Sequence, residues 1–252
     1  MKRPQPGQDA GFSLVEALVG MVIGAIVIAA AYSLWLTHQQ ESFLLGKKID
    51  VHNDLTLASK RLQGSVTLAG LGLGGAANLS MSDAGGSDTL ILFLNSQEKR
   101  TTLLMDAPTS LASIQVDDPA PFTNAAYVAI SNAGHGEIRR IVNISGSTIH
   151  MDTTFSVAYP MAGSMVYPAA RERYFSSQDS AQFIHEVGGE ERIVARHLKD
   201  FQVSFVDEDG ALTGIPADVR SVRFSLTGIY PAKEGALNSM ILSSTAIPRN
   251  ML

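Results

Sequence analysis

Residues 11–36 decide the fold, and they read GFSLVEALVGMVIGAIVIAAAYSLWL. Between Phe12 and Thr37, Glu16 is the only side chain that is normally charged, and residues 17–36 contain no charge at all. About 20 consecutive apolar residues allow a helix to span the hydrocarbon core of a bilayer. A buried core helix would more often carry a polar face, and this window shows none. The sequence therefore predicts a membrane-spanning helix.

The residues before this stretch form a short polar leader, MKRPQPGQDAG, over positions 1–11. A secretory signal peptide places a small-residue cleavage site after a shorter apolar region, whereas here the small residue, Gly11, precedes the apolar run. Lys2 and Arg3 lie on the N-terminal side of the span. The positive-inside tendency therefore predicts that the leader stays in the cytoplasm and that the remaining chain crosses the membrane.

The run Gly11-Phe12-Ser13-Leu14-Val15-Glu16, between a basic leader and an apolar helix, resembles the type III signal of type IV pilins and type II secretion pseudopilins. The resemblance implies that a prepilin peptidase cuts between Gly11 and Phe12 and that Phe12 is then N-methylated. It also implies that Glu16 pairs with the terminal amine of a neighbouring subunit. The apolar helix would stay attached after processing and form the packing spine of a filament.

Glu16 has a second interpretation that does not require a partner. A carboxylate near the bilayer centre costs about 2.5–3.5 kcal/mol on insertion scales and less near the edge, so Glu16 would lie at the interface and reach headgroups. Gly20 and Gly24 form a G-x-x-x-G pair that would let helix backbones approach closely. Glycine is also common in membrane helices, so this pattern alone does not distinguish packing from background composition.

The helical pattern continues beyond the apolar stretch. From Leu45 to Val66, apolar residues recur at spacings of three and four, and most charged residues fall on the other faces. The glycine-rich run that starts at Gly64 would end the helix and turn the chain. The predicted organisation is a leader over residues 1–11, a membrane and filament-core helix over 12–36, its amphipathic half over 37–63, and a β-rich globular domain over 64–252.

Beyond Asp88 the hydrophobic period changes from that of a helix to that of a strand. Short alternating runs are separated by turn residues such as Ser145-Gly146-Ser147 and Gly188-Gly189, which is typical of antiparallel sheets. One long helix followed by strands predicts an α+β fold in which the helix covers one sheet face. The predicted strands are 89–95, 101–105, 127–131, 139–144, 148–151, 171–176, 183–187, 192–195, 201–206, 219–227 and 240–244.

The composition excludes several classes of function. The 252 residues include no Cys, which removes disulfide scaffolds, Cys-type zinc sites, iron–sulfur clusters and thiol nucleophiles. The net charge of −5 argues against a general nucleic-acid binder. The sequence contains no recognisable catalytic motif, so we expect neither an enzyme nor a cofactor. Asp207 and Asp209 are weak calcium candidates, because an acidic loop followed by Gly210 is more simply a hairpin turn.

The C-terminal region also resembles PilW-like minor pilins, in segments 171–175, 192–194, 198–205, 207–210 and 248–250. Many major pilins close a C-terminal loop with a disulfide, so the lack of Cys and the large size favour a minor subunit. The resemblance implies a single-pass inner-membrane protein with a periplasmic domain that enters a type IV pilus and supports assembly at or near its tip. Its partners would be prepilin peptidase, other pilins and minor pilins, the inner-membrane assembly platform and lipid.

Two alternatives remain open at this point. A J-type minor pseudopilin of a type II secretion system shares the same signal and similar architecture, and it would enter a pseudopilus rather than a pilus. A membrane-anchored binding or adhesion protein would carry the same apolar helix but would not polymerise.

Overall fold

The computed structural model of the chain describes residues 13–73, 79–83, 86–95, 98–123, 126–132, 135–214 and 218–248. The chain separates into two compact units, Met1–Lys47 and Lys48–Leu252, which are described one at a time. One long helix precedes antiparallel sheets, which confirms the predicted α+β class. The helix α1 covers Leu14–Leu68, and the strands are β1 (Leu79–Asp83), β2 (Asp88–Leu94), β3 (Thr101–Thr102), β4 (Ser113–Gln115), β5 (Tyr127–Asn132), β6 (His135–Ser145), β7 (Thr148–Met151), β8 (Met165–Ser177), β9 (Gln182–Val187), β10 (Glu190–Arg196), β11 (Leu198–Val206), β12 (Ser221–Pro231) and β13 (Leu237–Ala246).

The helix α1 continues past its predicted end at Gln63 and stops at Leu68. Gly64 adopts helical geometry and does not act as a stop. The chain turns where Gly70 and Gly72 take left-handed conformations, with φ of 77° and 69°. A residue with a side chain would be strained there, which is why a glycine pair ends the helix. The backbone N–H of Gly70 donates to the carbonyl of Phe93 at 2.8 Å, so the turn is fixed against β2.

The larger sheet is organised around β8. Its main path runs β1-β2-β8-β5-β6-β7-β4, and all of its pairings are antiparallel. The first part of β8 pairs with β3 and β5, and its second part pairs with β2 and β9. The strand therefore changes partners along its length, and its second part carries the β9–β10 hairpin.

The smaller sheet has three antiparallel strands in the order β11-β12-β13. Alternation places Phe201, Val203 and Phe205 of β11 toward the core, as the sequence predicts. Two side chains at the start of β2 bond the outer edge of β11. Ser87 Oγ, just before the strand, accepts from the N–H of Phe201 at 3.1 Å, and Asp88 Oδ2 accepts from the N–H of Val203 at 2.6 Å. These bonds join the two sheets without a shared strand.

Most predicted strands are present, with longer or shifted ends. The region 101–105 is an exception, because only Thr101–Thr102 is a strand and Leu103 forms an isolated bridge with Val116. Strands β1 and β4 were not predicted. Their sequences, LSMSD and SIQ, are short and weakly apolar, so pairing with β2 and β7 rather than local pattern holds them in place.

The main core of the second unit is built on one stripe of α1. The buried helical residues recur at spacings of three and four, so they share one face. They pack against side chains of both sheets, including Tyr174 and Phe183 of the larger sheet and Phe201 and Phe224 of the smaller sheet. Each fully buried Val or Leu stabilises the fold by about 1.5–3 kcal/mol. The hydrophobic residues of the stripe are Val51, Leu55, Ala58, Leu62 and Val66.

Polar side chains beside this stripe attach the helix to the sheets. Arg61 Nη2 lies 3.3 Å from His185 Nδ1, and His185 Nε2 lies 3.0 Å from Glu172 Oε2. A guanidinium has only donors, so Nδ1 accepts from Arg61 and Nε2 donates to the carboxylate. Ser65 Oγ bonds Tyr174 Oη at 2.7 Å. Hydrogen bonds with this geometry fix which face of the helix meets the sheet.

A second core lies under β4–β7 and the loop that follows β7. It includes Phe122, Phe155 and Tyr159, all nearly or fully buried. Glu137 organises its edge, because its carboxylate accepts from the backbone N–H groups of Ser156 at 3.0 Å and Val157 at 3.1 Å. The carboxylate is also paired with Arg139. Burial alone would raise the pKa of Glu137, but the backbone hydrogen bonds and Arg139 outweigh it and hold the pKa below 4.5.

The close approach of β12 to α1 makes Gly228 sensitive to substitution. A Cβ at Gly228 would lie 2.5 Å from Val51 Cγ1 and 3.2 Å from Leu55 Cδ1. We expect Gly228→Ala to lower the free energy of unfolding by about 1–3 kcal/mol, because the packed stripe must move. The measurement is thermal or denaturant unfolding of the full chain in detergent. Gly64→Ala is the matched control: it meets open space within a helix and should stabilise. Equal effects of the two substitutions would contradict the packing argument.

The low pKa of Glu137 predicts a stability contribution that depends on pH. Because this pKa is lower in the folded than in the unfolded chain, the contribution is complete above the ordinary value of 4.5 and is lost as the pH falls through the folded pKa. At neutral pH we expect Glu137→Gln to lower the free energy of unfolding by about 1–3 kcal/mol, and the deficit should shrink under acid. Glu190→Gln is the control, because Glu190 also pairs with an arginine two residues away but is exposed. A deficit that is independent of pH would contradict this role.

Candidate assembly segment

The first unit, within the described residues, consists of the N-terminal part of α1. The helix begins after Ser13, whose carbonyl accepts from the N–H groups of Glu16 at 2.9 Å and Ala17 at 3.1 Å. Its large apolar side chains are exposed, reaching 79% for Leu14 and 74% for Met21. The segment is long and apolar enough to cross a membrane, and none of its most apolar window is buried.

Glu16 lies in the first turn of α1 and is exposed. A carboxylate there is favoured by the partial positive charge of the helix N-terminus. That dipole interaction contributes only about 0.3–1 kcal/mol, less than the cost of a carboxylate in the apolar interior of a bilayer. A cationic group from outside this segment would have to supply the remainder if the carboxylate enters an apolar environment.

Gly20 and Gly24 lie one helical turn apart, on the same face of α1. A Cβ built at either glycine meets no atom within 4 Å, so the helix backbone is uncovered on this face. Close backbone approach between helices in lipid uses such faces. The geometry is therefore compatible with the predicted helix-packing role, which stays a prediction.

Two aromatic residues near the end of the apolar stretch were not identified from the sequence. Tyr32 and Trp35 stack with ring centroids 5.8 Å apart, and both are exposed. Tyr and Trp are enriched at the boundary between bilayer and water, where an apolar ring and a polar group are both satisfied. The polar run from Thr37 to Glu41 follows directly. The signal was present in the sequence as aromatic residues placed next to the first polar turn.

The predicted processing residues, Gly11 and Phe12, lie outside the described residues, so their geometry is not defined. The weak metal candidates, Asp207 and Asp209, lie in the turn after β11. Asp207 Oδ1 accepts from the N–H of Ala211 at 2.8 Å, and Gly210 takes a φ of 82°, which is the geometry of a tight turn. Within the described part of the chain, no group of three or more acidic or histidine side chains could hold a metal ion.

Three comparisons with known proteins bear on this segment. A family model, the prokaryotic N-terminal methylation motif, matches residues 7–32. No curated protein matches the chain. Among solved structures, the chain is similar to a type IV-like pilin from Thermus thermophilus, with 9% identity and a TM-score of 0.41 over 80% of this chain and 98% of that one.

The methylation motif covers the end of the leader from residue 7, together with Gly11, Phe12, Glu16 and most of the apolar helix, so it includes the residues at which processing and charge pairing are predicted. The motif is one of N-terminal methylation, which agrees with the predicted processing at Gly11 and Phe12; that processing stays a prediction. The exposed apolar helix fits anchoring in a membrane. Over residues 7–32, the chain therefore carries a prokaryotic N-terminal methylation motif, the prepilin-type signal that the sequence predicts.

Proposed function

We propose that the chain is a minor pilin of a type IV pilus that is incorporated at or near the tip and supports pilus assembly. The observation that carries the proposal is the exposed, uncharged helical segment of residues 17–36, most of which lies within the methylation motif. An apolar helix that is exposed within the described part of its chain requires lipid before assembly and other helices after it. A filament core made of such helices provides the neighbouring helices that the segment requires after assembly.

The proposed sequence of events uses three residues. Prepilin peptidase cuts between Gly11 and Phe12, and the new α-amino group of Phe12 is methylated and remains cationic. In the filament, Glu16 of one subunit pairs with the Phe12 amine of its neighbour. Each charge then loses its contact with water and gains contact with an opposite charge. Buried charges are tolerated in proteins when they are paired in this way.

The proposed topology follows from the charges that flank the helix. Lys2 and Arg3 keep the leader in the cytoplasm, residues 12–36 cross the inner membrane, and the remaining chain enters the periplasm. Tyr32 and Trp35 would then lie at the periplasmic boundary of the bilayer. Residues 37–63 continue the spine, and the β-rich domain from residue 64 onward faces outward from the filament.

The minor role is supported by size and by the lack of Cys in the sequence. A disulfide-closed C-terminal loop of the kind found in many major pilins is impossible here. A J-type pseudopilin would share all of these features. Deleting the gene in its source organism distinguishes the two: loss of surface pili with intact protein secretion supports the minor pilin, and loss of secretion with intact pili contradicts it.

Processing is tested at Gly11. We expect Gly11→Val to block cleavage, because the peptidase must bring its catalytic carboxylates close to the backbone and a branched side chain obstructs this approach. Intact-mass measurement of the wild-type protein should give a chain that begins at methylated Phe12, and the variant should keep its leader. Gly7→Val, in the same leader, is the control and should be processed normally. An unprocessed wild-type N-terminus would contradict the proposal and favour an anchored protein that does not polymerise.

Charge pairing is tested at Glu16. We expect Glu16→Ala to be processed and to stay in the membrane, because removing a carboxylate from an apolar helix does not weaken its anchoring. Its recovery in sheared filaments should fall about tenfold or more, since the neighbouring Phe12 amine loses its counter-charge and breaking a buried pair costs about 3–5 kcal/mol. Quantitative immunoblotting of filament and membrane fractions measures both effects.

The control for this experiment is Glu41→Gln, which removes a carboxylate from the same helix beyond the apolar stretch. It should enter filaments at the wild-type level. Normal incorporation of Glu16→Ala would show that the carboxylate does not compensate a charge in the filament. Equal losses from both variants would likewise contradict a specific role for Glu16.

A further inference from the structure

A cleft in the second unit lies where β8 changes partners. Strand β5 pairs with β8 as far as Ala169, and β9 begins to pair with it at Glu172. Between these points, Ala170 and Arg171 have register partners only on the β2 side, within the residues described. The sheet therefore has a gap of two residues. The cavity at this gap has a volume of about 540 Å³, within the range of small-molecule sites.

The walls of the cleft are formed by small and apolar side chains together with a glycine turn. Gly188 and Gly189 have φ of 61° and 90°, and a Cβ at either position would meet no atom within 4 Å, so the turn leaves the opening free. Such a surface accommodates a compact apolar group without a specific hydrogen bond. The small and apolar residues of the wall are Ala120, Pro121, Ala126, Pro168, Ala169 and Ala170.

The charged side chains that line the cleft are all cationic. Lys99, Arg140 and Arg171 contribute to the lining, and none of its described residues is acidic. The whole chain, by contrast, has a net charge of −5. A positive cleft on a negative protein concentrates anions locally, because the field of one sign is focused between low-dielectric walls.

Arg171 is held in position by its neighbours. Its Nη2 lies 3.0 Å from Glu186 Oε1, and its guanidinium lies 5.5 Å from the ring centroid of Tyr127. Glu186 also lies 3.4 Å from Arg173, so one carboxylate serves two guanidinium groups and leaves excess positive charge. A guanidinium fixed in this way presents its remaining donors without a further loss of side-chain entropy.

Arg140 and Lys99 are exposed, and within the described parts of the chain their side chains make no hydrogen bond or ion pair. A second groove shares Arg140 and Arg171 with the cleft, and Arg139, Glu137 and Asp152 also contribute to its lining, so it carries charges of both signs. Among the described residues, the lining of the cleft at the gap in β8 contains cationic side chains and no acidic one. Arg140 and Lys99, which are unpaired among the described residues, together with the fixed Arg171 provide positively charged donors for an anionic head group.

We propose that this cleft binds a small organic anion, with a phosphate or carboxylate head between Arg140 and Arg171 and a compact apolar body against the alanine and proline wall. Lys99 strengthens the attraction from the edge of the cleft. This inference does not depend on the assembly role, because every residue it uses lies in the second unit. It adds a ligand-binding function to a structural subunit.

The test is calorimetric titration of the full chain in a non-ionic detergent at low ionic strength. Phenyl phosphate is the probe for head and body together, inorganic phosphate for the head alone, and phenol for the body alone. We expect phenyl phosphate to bind saturably, at least tenfold more tightly than either of the other two. Arg140→Gln should weaken its binding about tenfold or more, because a hydrogen bond to a charged group is lost. Lys99→Gln should weaken it by a smaller factor.

The matched control is Arg192→Gln, which removes an exposed arginine from β10, outside the cleft. It should leave the affinity unchanged, and unfolding curves of the three variants should coincide with that of the wild type. Absence of saturable binding would overturn the proposal. If Arg140→Gln and Arg192→Gln weaken the binding of phenyl phosphate equally, the attraction is non-specific and the proposal is overturned. If inorganic phosphate and phenyl phosphate bind with equal affinity, the assignment of an apolar body is overturned.

Discussion

The fold of the second unit depends on the contact between one stripe of α1 and two separate sheets. Val51, Leu55 and Leu62 are buried against aromatic and aliphatic side chains from both. Neither sheet shares a strand with the other, and their direct connection includes the side-chain bonds from Ser87 and Asp88 to β11. The helix therefore supplies the surface on which both sheets find a common core. Without it, each sheet would expose an apolar face to water.

The same helix meets a different requirement in its first part. Apolar side chains occur all around the segment that follows Ser13, so no single face can be buried against a sheet while the others face water. Lipid or other apolar helices satisfy such a surface. The helix α1 thus contains a first segment that needs lipid or other helices around it and a second segment that packs against the sheets of its own chain. The change between them occurs within the helix and requires no linker.

The sequence alone predicts the structural features that depend on residues close to one another in the chain. The apolar stretch, Glu16 in its first turn and the helical spacing of Leu55 and Leu62 follow from composition and period, and the α+β class follows from their order. The sequence predicts the end of the helix too early, at Gln63, because Gly64 resembles a helix stop, whereas α1 ends at Leu68. Glycine ends a helix only where the chain needs a left-handed residue, and that requirement is set by the contact of Gly70 with Phe93.

Pairings between distant strands could not be predicted in this way. The exchange of partners along β8 depends on strands that lie far apart in the chain, and the cleft at Arg171 exists only because of that exchange. The sequence also shows His185 followed by Glu186 without a second metal ligand. Its role, between Arg61 of the helix and Glu172 of the neighbouring strand, is visible only in three dimensions.

The position of α1 at the start of the chain also affects the order in which the domain can form. The stripe of α1 leaves the ribosome first, whereas the strands that cover it come last: Arg61 meets a residue 124 positions later, and Gln63 meets Ser244, 181 positions later. Contacts this distant in sequence slow folding, because a long loop must close before any apolar surface is buried. The stripe therefore stays open to solvent until nearly the whole chain has been synthesised. During that interval the nascent protein is at its most vulnerable to aggregation and proteolysis.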